Sequence, residues 1–374
     1  MARTELLPDL RRERLIELLR ERGTARVADL AAVTDVTPLT IRRDLKLLVA
    51  AGLVERVHGG ARLVEPAPGP AAAPLDGLAG RAGSASSPQP SGQIAMLVPG
   101  LDFYWPAVSR SAETRARRFG LRLTLRGDSY ESEDERPALA PLFANEQVLG
   151  VLAVPNVEGA HAQEVIDWIA GQRVPCVLME REAAAGPGRE PVESVTSDHA
   201  FGAELAVRYL WGLGHRRIGL VVSRTSPTTR KVRLGFDRVS RELGLDSAHC
   251  LSEVIPDSRT IGFEAAVGAV IDQAAAKSVS GLLVHSDREA MALVQRLELR
   301  GLRVPADISV IAYDDEVAEM FTPALTAIRP AREALGAAAV DLMVNRLSDP
   351  GRPVHRVTIS PSLHIRESTE PPPG

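Results

Sequence analysis

Cysteines and aromatic side chains are scarce in this chain of 374 residues. Its two cysteines, Cys176 and Cys250, cannot build a disulfide framework or a cysteine-rich metal site. Aromatics make up 4% of the residues, so Ala, Val, Leu and Ile must fill the core. No apolar run reaches the roughly 18 residues that would span a membrane. The opening residues lack the apolar region of a signal peptide. Also missing are a phosphate-binding Gly-rich loop, a nucleophile elbow, and His or Cys clustered at metal spacing. These absences point to a reducing, cytoplasmic compartment and to a protein that is not an enzyme and needs no metal or cofactor.

What is present suits folded domains. Hydrophobic residues make up 45% and charged residues 25%, too rich a mix for wholesale disorder. At roughly 100–200 residues per domain, the length suggests two or three. The net charge of −4 hides an asymmetry. Residues 1–64 carry twelve Lys/Arg against nine Asp/Glu, whereas the remainder carries 32 against 39. A basic head on an acidic body hints at a polyanionic partner for the head alone. Residues 65–91, EPAPGPAAAPLDGLAGRAGSASSPQPS, cannot bury enough surface to offset their ordering entropy and read as a mobile linker. The expected division is therefore a head at 1–64, a linker at 65–91 and a body at 92–369.

The head reads as three helices and a hairpin. Leu15, Ile16, Leu18 and Leu19 sit at helical spacing within residues 10–22, and Gly23 stops the run. A short second helix follows at 27–32. Thr37 then looks like an N-cap, with Pro38 at the first helical position, and the helix continues through Ile41, Leu45 and Leu48. Two short alternating runs, 53–57 and 61–64, flank the turn His58-Gly59-Gly60. With Ile41 and Leu45 buried, Pro38, Leu39, Thr40, Arg42 and Arg43 face outward. A helix entering the major groove offers such N-terminal residues to base edges, and Arg pairs bidentately with guanine. The bland alternative is an ordinary solvated face.

The segment VTPLTIRRDLKLLVAAGLVERVHGGA, residues 36–61, resembles the winged helix-turn-helix of the DeoR family through its Thr40-Ile41-Arg42-Arg43-Asp44-Leu45 core and its His58-Gly59-Gly60-Ala61 wing end. Thr37 stands where that family usually has Ser, a change that keeps the cap. The resemblance implies binding of double-stranded operator DNA. It places Thr37, Pro38, Leu39, Thr40, Arg42, Arg43 and Lys46 in or beside the major groove. Arg56, His58, Gly59 and Arg62 of the wing would meet backbone or minor groove.

In the body, short apolar runs at 93–98, 121–125, 148–154, 175–179, 217–222, 281–285 and 308–312 alternate with helical segments, the first at 107–119. Such alternation means parallel sheets covered by helices on both faces. Two sets of strands predict two lobes, about 92–197 and 198–314, with a C-terminal part crossing between them. Ligands then bind at the strand carboxyl ends. The anchors Gly214-His215-Arg216-Arg217-Ile218-Gly219, Gly301-Leu302-Arg303-Val304-Pro305, Tyr313-Asp314-Asp315 and Pro323-Ala324-Leu325-Thr326 resemble the effector domain of LacI/GalR regulators, which is related to periplasmic sugar-binding proteins. The expected fold is thus α/β, an N-terminal winged helix-turn-helix joined to a two-lobed, periplasmic-binding-protein-like domain. Neither a LacI-type head nor its hinge helix is present.

Carried over position by position, this resemblance implies ligand contacts at Tyr104 and Trp105 after the first strand, at Glu180 ending the fourth, and at Asp314 at the end of the 308–312 strand. Arg181 either joins them or pairs with Glu180. The family's ligand Arg, three residues before the Gly of a Gly-Phe pair, is replaced by Val232, leaving Arg230 or Arg233 to substitute. Asp257 and Ser286 match ligand positions where the family often has other residue types. His285 reads as a strand-end packing residue. Together these features describe a DNA-binding regulator, a repressor of carbohydrate metabolism, working as a homodimer under a sugar, sugar phosphate or nucleoside. The rival readings are a sugar-binding protein of a transport system, a regulator whose body only dimerises, and an enzyme.

Overall fold

Leu15, Leu18, Leu19, Leu30, Ile41 and Leu45 are buried together in the N-terminal unit, against Ala25, Val54 and Ala61 of a small sheet. In this computed structural model the described residues are 15, 18–19, 24–34, 36, 41, 45, 54–57, 60–63, 92–100, 104–128, 134–245, 250–258 and 260–373. The chain forms two units, Met1–Ala85 and Ser86–Gly374. In the first, β1 (Thr24–Arg26) leads directly into α1 (Val27–Val33), and β2 (Val54–Val57) and β3 (Gly60–Leu63) follow. The strand order is β1-β3-β2, antiparallel throughout. Strand β1 was not foreseen, because three residues are too few to display a period of two. Leu15, Leu18, Leu19, Ile41 and Leu45 are helical. Thr37, Pro38, Leu39, Thr40, Arg42, Arg43, Lys46, His58 and Gly59, and the whole of 65–91, lie outside the described residues.

The second unit opens with β4 (Gly92–Val98), α2 (Tyr104–Arg118), β5 (Leu121–Gly127), α3 (Arg136–Phe143), β6 (Val148–Ala153), α4 (Ala162–Ala170) and β7 (Cys176–Met179). A short hairpin, β8 (Ala184–Ala185) and β9 (Glu190–Pro191), precedes β10 (Ser194–Ser197). The chain then builds the second lobe from α5 (His199–Gly212), β11 (Ile218–Ser223), α6 (Thr229–Glu242), β12 (Leu251–Ile255), α7 (Phe263–Ala276), β13 (Gly281–His285), α8 (Asp287–Leu299), β14 (Ser309–Tyr313) and β15 (Thr326–Arg329). It returns to the first lobe for α9 (Arg332–Ser348) and β16 (Arg356–Ile359), and ends in the second with β17 (Ser362–His364).

The first sheet runs β16-β10-β7-β6-β4-β5, all parallel, and the second β12-β11-β13-β14-β15-β17, parallel except for the last pair. Every residue of β11, β13 and β14 is buried, as expected of central parallel strands covered on both faces. Each sheet separates two apolar clusters, one under each helical layer. Two glycines set the helix spacing. A Cβ on Gly336 would collide with the Val108 carbonyl, where α9 crosses α2 backbone to backbone, and one on Gly235 would collide with the Ala200 carbonyl, where α6 crosses α5. Arg115 of α2 clamps the first crossing with a two-pronged bond to Asp341 of α9, at 2.6 and 3.1 Å.

Helix α2 begins at Tyr104, three residues earlier than the sequence suggested. That start puts Trp105 in register with Val108, Ala112 and Ala116, and all four are buried in the first-lobe core. Trp105 therefore packs in the lobe interior.

Candidate functional site

Because the strands of both sheets are overwhelmingly parallel, their carboxyl-end loops gather on one side of each lobe. Between the lobes these loops enclose a cavity of about 820 Å³. Its first-lobe wall comes from Pro99 after β4, Asn156 and Glu158 after β6, and Glu180, Arg181 and Glu182 after β7. Glu135, just ahead of α3, lines it too. The second-lobe wall is Arg224, Thr225 and Ser226 after β11, with Arg230, Lys231, Arg233 and Asp237 of α6. Arg230 faces Glu158 at 3.5 Å and Lys231 faces Glu182 at 3.7 Å, so two ion pairs span the cleft. Both are solvent-accessible, and such pairs contribute little each.

Glu180 sits at φ +55°, in the left-handed region that non-glycine residues rarely occupy. Its surroundings hold it there. The Ser197 backbone N–H and hydroxyl donate to its carboxylate at 3.0 and 2.6 Å, the Tyr104 hydroxyl donates as well, and His199 Nε2 lies 3.3 Å away. Burial alone would raise this carboxyl. The charge and hydrogen bond of His199, with those hydroxyls, outweigh it and hold Glu180 well below the usual carboxylate range. The chain of contacts continues into the second lobe, where His199 Nδ1 is 3.1 Å from the Tyr313 hydroxyl. The His285 ring packs against that of Tyr313 at 5.3 Å. Burial pushes His285 down from its ordinary value, and its Nε2 is 3.9 Å from Asp314. Tyr104 and Asp314 thus stand at opposite ends of one buried polar path.

The loop carrying Asp314 is pinned from two sides. The Asp287 carboxylate accepts the backbone N–H groups of Asp315, Glu316 and Val317 at 3.1, 2.7 and 2.9 Å. Arg332, in the first turn of α9, donates to the Asp314 and Asp315 carbonyls at 2.5 and 3.3 Å. Burial lifts Asp287 to about 6 and Glu316 to about 7.

Of the residues singled out from the sequence, Glu180, Arg181, Arg230 and Arg233 line the cavity. Arg181 is buried and donates to the Pro155 and Glu180 carbonyls at 3.2 and 3.0 Å. Tyr104 and Asp314 reach the site through the buried path and are not part of the wall. Asp257 lies beyond β12, and Ser286 is occupied in a capping box with Glu289 at the start of α8, so neither joins the lining. Arg224, Lys231, Glu158 and Glu182 were missed, although each follows a strand end or opens a helix beside one. In the N-terminal unit Arg56 lies on β2, and Arg62, on β3, is exposed.

Residues 11–67 match the DeoR-like helix-turn-helix domain, and residues 207–369 match the periplasmic binding protein-like domain. Over 272 residues the chain is 30% identical to the HTH-type transcriptional repressor PurR of Edwardsiella ictaluri, covering 71% of this chain and 76% of that one. It is 28% identical to the HTH-type transcriptional regulator MalR of Streptomyces coelicolor over 94% of this chain and 98% of the other. The protein belongs to the LacI family of transcriptional regulators. Among solved structures, the regulator CelR in complex with cellobiose superposes with a TM-score of 0.64 at 21% identity, over 89% of this chain and 92% of that chain. A LacI-family regulator from Enterococcus faecium with bound ribose gives 0.62 at 21% identity, over 75% and 99%. These two share the two-lobed fold. This LacI-family chain is thus a DNA-binding transcriptional regulator whose reading domain is of the DeoR type, and its relatives are regulators, not enzymes. No helix among the described residues is long and apolar enough to cross a membrane.

Proposed function

We propose that the protein is a cytoplasmic repressor of carbohydrate-metabolism genes that binds double-stranded operator DNA as a homodimer and answers to a small hydroxylated effector. The observation that carries this reading is the cleft of about 820 Å³ at the strand carboxyl ends of a LacI-type body, in a chain that also carries a DNA reader. Cellobiose and ribose in the two related structures support a sugar-like effector. Residues 1–64 read DNA, 65–91 tether, and 92–369 bind effector and dimerise. Within the reader, Arg42 and Arg43 meet base edges, and Lys46, Arg56 and Arg62 meet phosphates.

An effector that fits one lobe arrangement better than another shifts the population between them. In a dimer, that shift changes the effective concentration of the second reader at its half-site. Selection of bound duplexes from a random pool by the full chain tests the reading. Enrichment of a sequence with two related half-sites, lost with Arg43→Ala, supports it. Retention of random DNA without enrichment would sink it.

A further inference from the structure

The two walls of the cleft differ in how their charges are used. On the first-lobe side three of the four lining carboxylates are fully committed. Glu180 is held by Tyr104, Ser197 and His199, and Glu135 accepts the Asn156 N–H at 2.7 Å through one oxygen while its other is buried without a partner. Glu158 and Glu182 face Arg230 and Lys231 across the gap. On the second-lobe side two cations are left over. Among the described residues, the side chains of Arg224 and Arg233 meet no carboxylate and no hydrogen-bond acceptor. Asp237, one turn beyond Arg233 on α6, makes no ion pair with it.

Arg233 is the more telling of the two. Its Nε is shut off from water yet has no acceptor. A guanidinium cannot shed its charge at any physiological pH, so this donor cannot be silenced by deprotonation. A buried donor without an acceptor costs stability until something supplies one. Thr225 and Ser226 stand on the same wall and add hydroxyls within the loop that leads into α6. Planar forks beside hydroxyls match the oxygens of phosphate and carboxylate, which accept two parallel N–H bonds.

We propose that the cleft takes an anionic effector, a phosphate or carboxylate carried on a small hydroxylated molecule, with the anion seated on Arg224 and Arg233. This rests on the reading of the cleft as the effector site and narrows it to one chemical class. A neutral sugar would leave both guanidinium charges uncompensated and gives no reason for two cations that the wall's one carboxylate, Asp237, does not pair. Phosphate esters and sugar acids share the required chemistry, and the experiment separates them.

Thermal melting and titration calorimetry of the full chain would compare ribose with ribose 5-phosphate, glucose with glucose 6-phosphate and gluconate, and inorganic phosphate with potassium chloride at equal ionic strength. The anionic member of a set should stabilise the protein beyond its neutral partner and beyond chloride. A response to the esters and inorganic phosphate alone identifies a phosphate seat, and a response to gluconate alone a carboxylate seat. Arg233→Gln and the exposed Arg224→Gln should each weaken that binding about tenfold or more, and Arg233→Lys should keep part of it. Arg224 is a surface residue, so its variant folds even if Arg233→Gln does not.

Neutral sugars binding as tightly as their anionic partners would overturn the anion seat while leaving the cleft as effector site. Anion binding unchanged in both Gln variants would overturn the assignment to these arginines. No response to any anion beyond chloride would overturn the proposal outright. If operator release also failed with every compound, the effector reading of the cleft would fall with it.

Discussion

Glu180, ending a strand of the first lobe, and His199, in the opening turn of the second, meet at 3.3 Å where the chain first passes between the lobes. Both side chains are buried. A buried pair that loses one member leaves an uncompensated charge, at a cost of about 3–5 kcal/mol. His199→Ala should therefore lower the urea midpoint steeply, by far more than removal of either cross-cleft surface pair. A loss no larger than that of Arg230→Ala would mean the contact carries no weight.

The same carboxylate sets an acid limit. Its folded pKa is depressed, so its contribution is present above its unfolded value and fades as pH falls through the folded one. The stability gap between wild type and Glu180→Gln should be constant above about pH 5 and close below about pH 4. A gap independent of pH down to the acid transition would contradict this.

Asp287 and Glu316 act in the opposite sense. Burial raises them to about 6 and about 7, so their stabilising contribution is complete below their unfolded values and is lost as pH rises through those folded values. Melting temperatures of wild type and Glu316→Gln should diverge between about pH 4 and pH 7, with the wild type showing the steeper fall as pH rises. Parallel curves would remove Glu316 from the account.

Gly336→Ala and Gly235→Ala test the two helix crossings. Each adds a methyl group against a backbone carbonyl that cannot swing aside. Overpacking of this kind costs about 1–3 kcal/mol, readable in denaturant unfolding. An unchanged midpoint would show that the helices can move apart freely.

In the reader, Arg42→Ala and Arg43→Ala should each weaken binding to the selected operator by about 1–3 kcal/mol and relax preference at one base pair. Lys46→Ala should weaken all duplexes alike and reduce the salt slope by about one. Competition binding at several salt concentrations distinguishes them. Equal losses on operator and random DNA would reassign the arginines to the backbone.

Much of the fold was legible because central parallel strands are continuous apolar runs, as in Ile218-Gly219-Leu220-Val221-Val222 and Gly281-Leu282-Leu283-Val284. Strand β10 was not, since Ser194-Val195-Thr196-Ser197 is mostly hydroxylated, yet it is fully buried between β7 and β16. The burial of Trp105 was not legible either, because a helix start set at 107 hides its register with Val108 and Ala112. The cleft arginines of α6 were readable from their place beside the Gly-Phe pair. The partnership of Glu180 with His199 was not, because it joins residues of different lobes and depends on how the sheets meet.

The chain passes between the lobes three times, at residue 198, at residues 330–331 and at residues 360–361. Neither lobe can be excised as a continuous fragment. A chain ending before Arg332 would strip the first lobe of α9 and the edge strand β16, and the second of β17. Three short connectors acting together also remove most degrees of freedom from the lobes, leaving a restricted swing in place of independent tumbling. A signal carried by that swing therefore has a direction built into it by the covalent path itself.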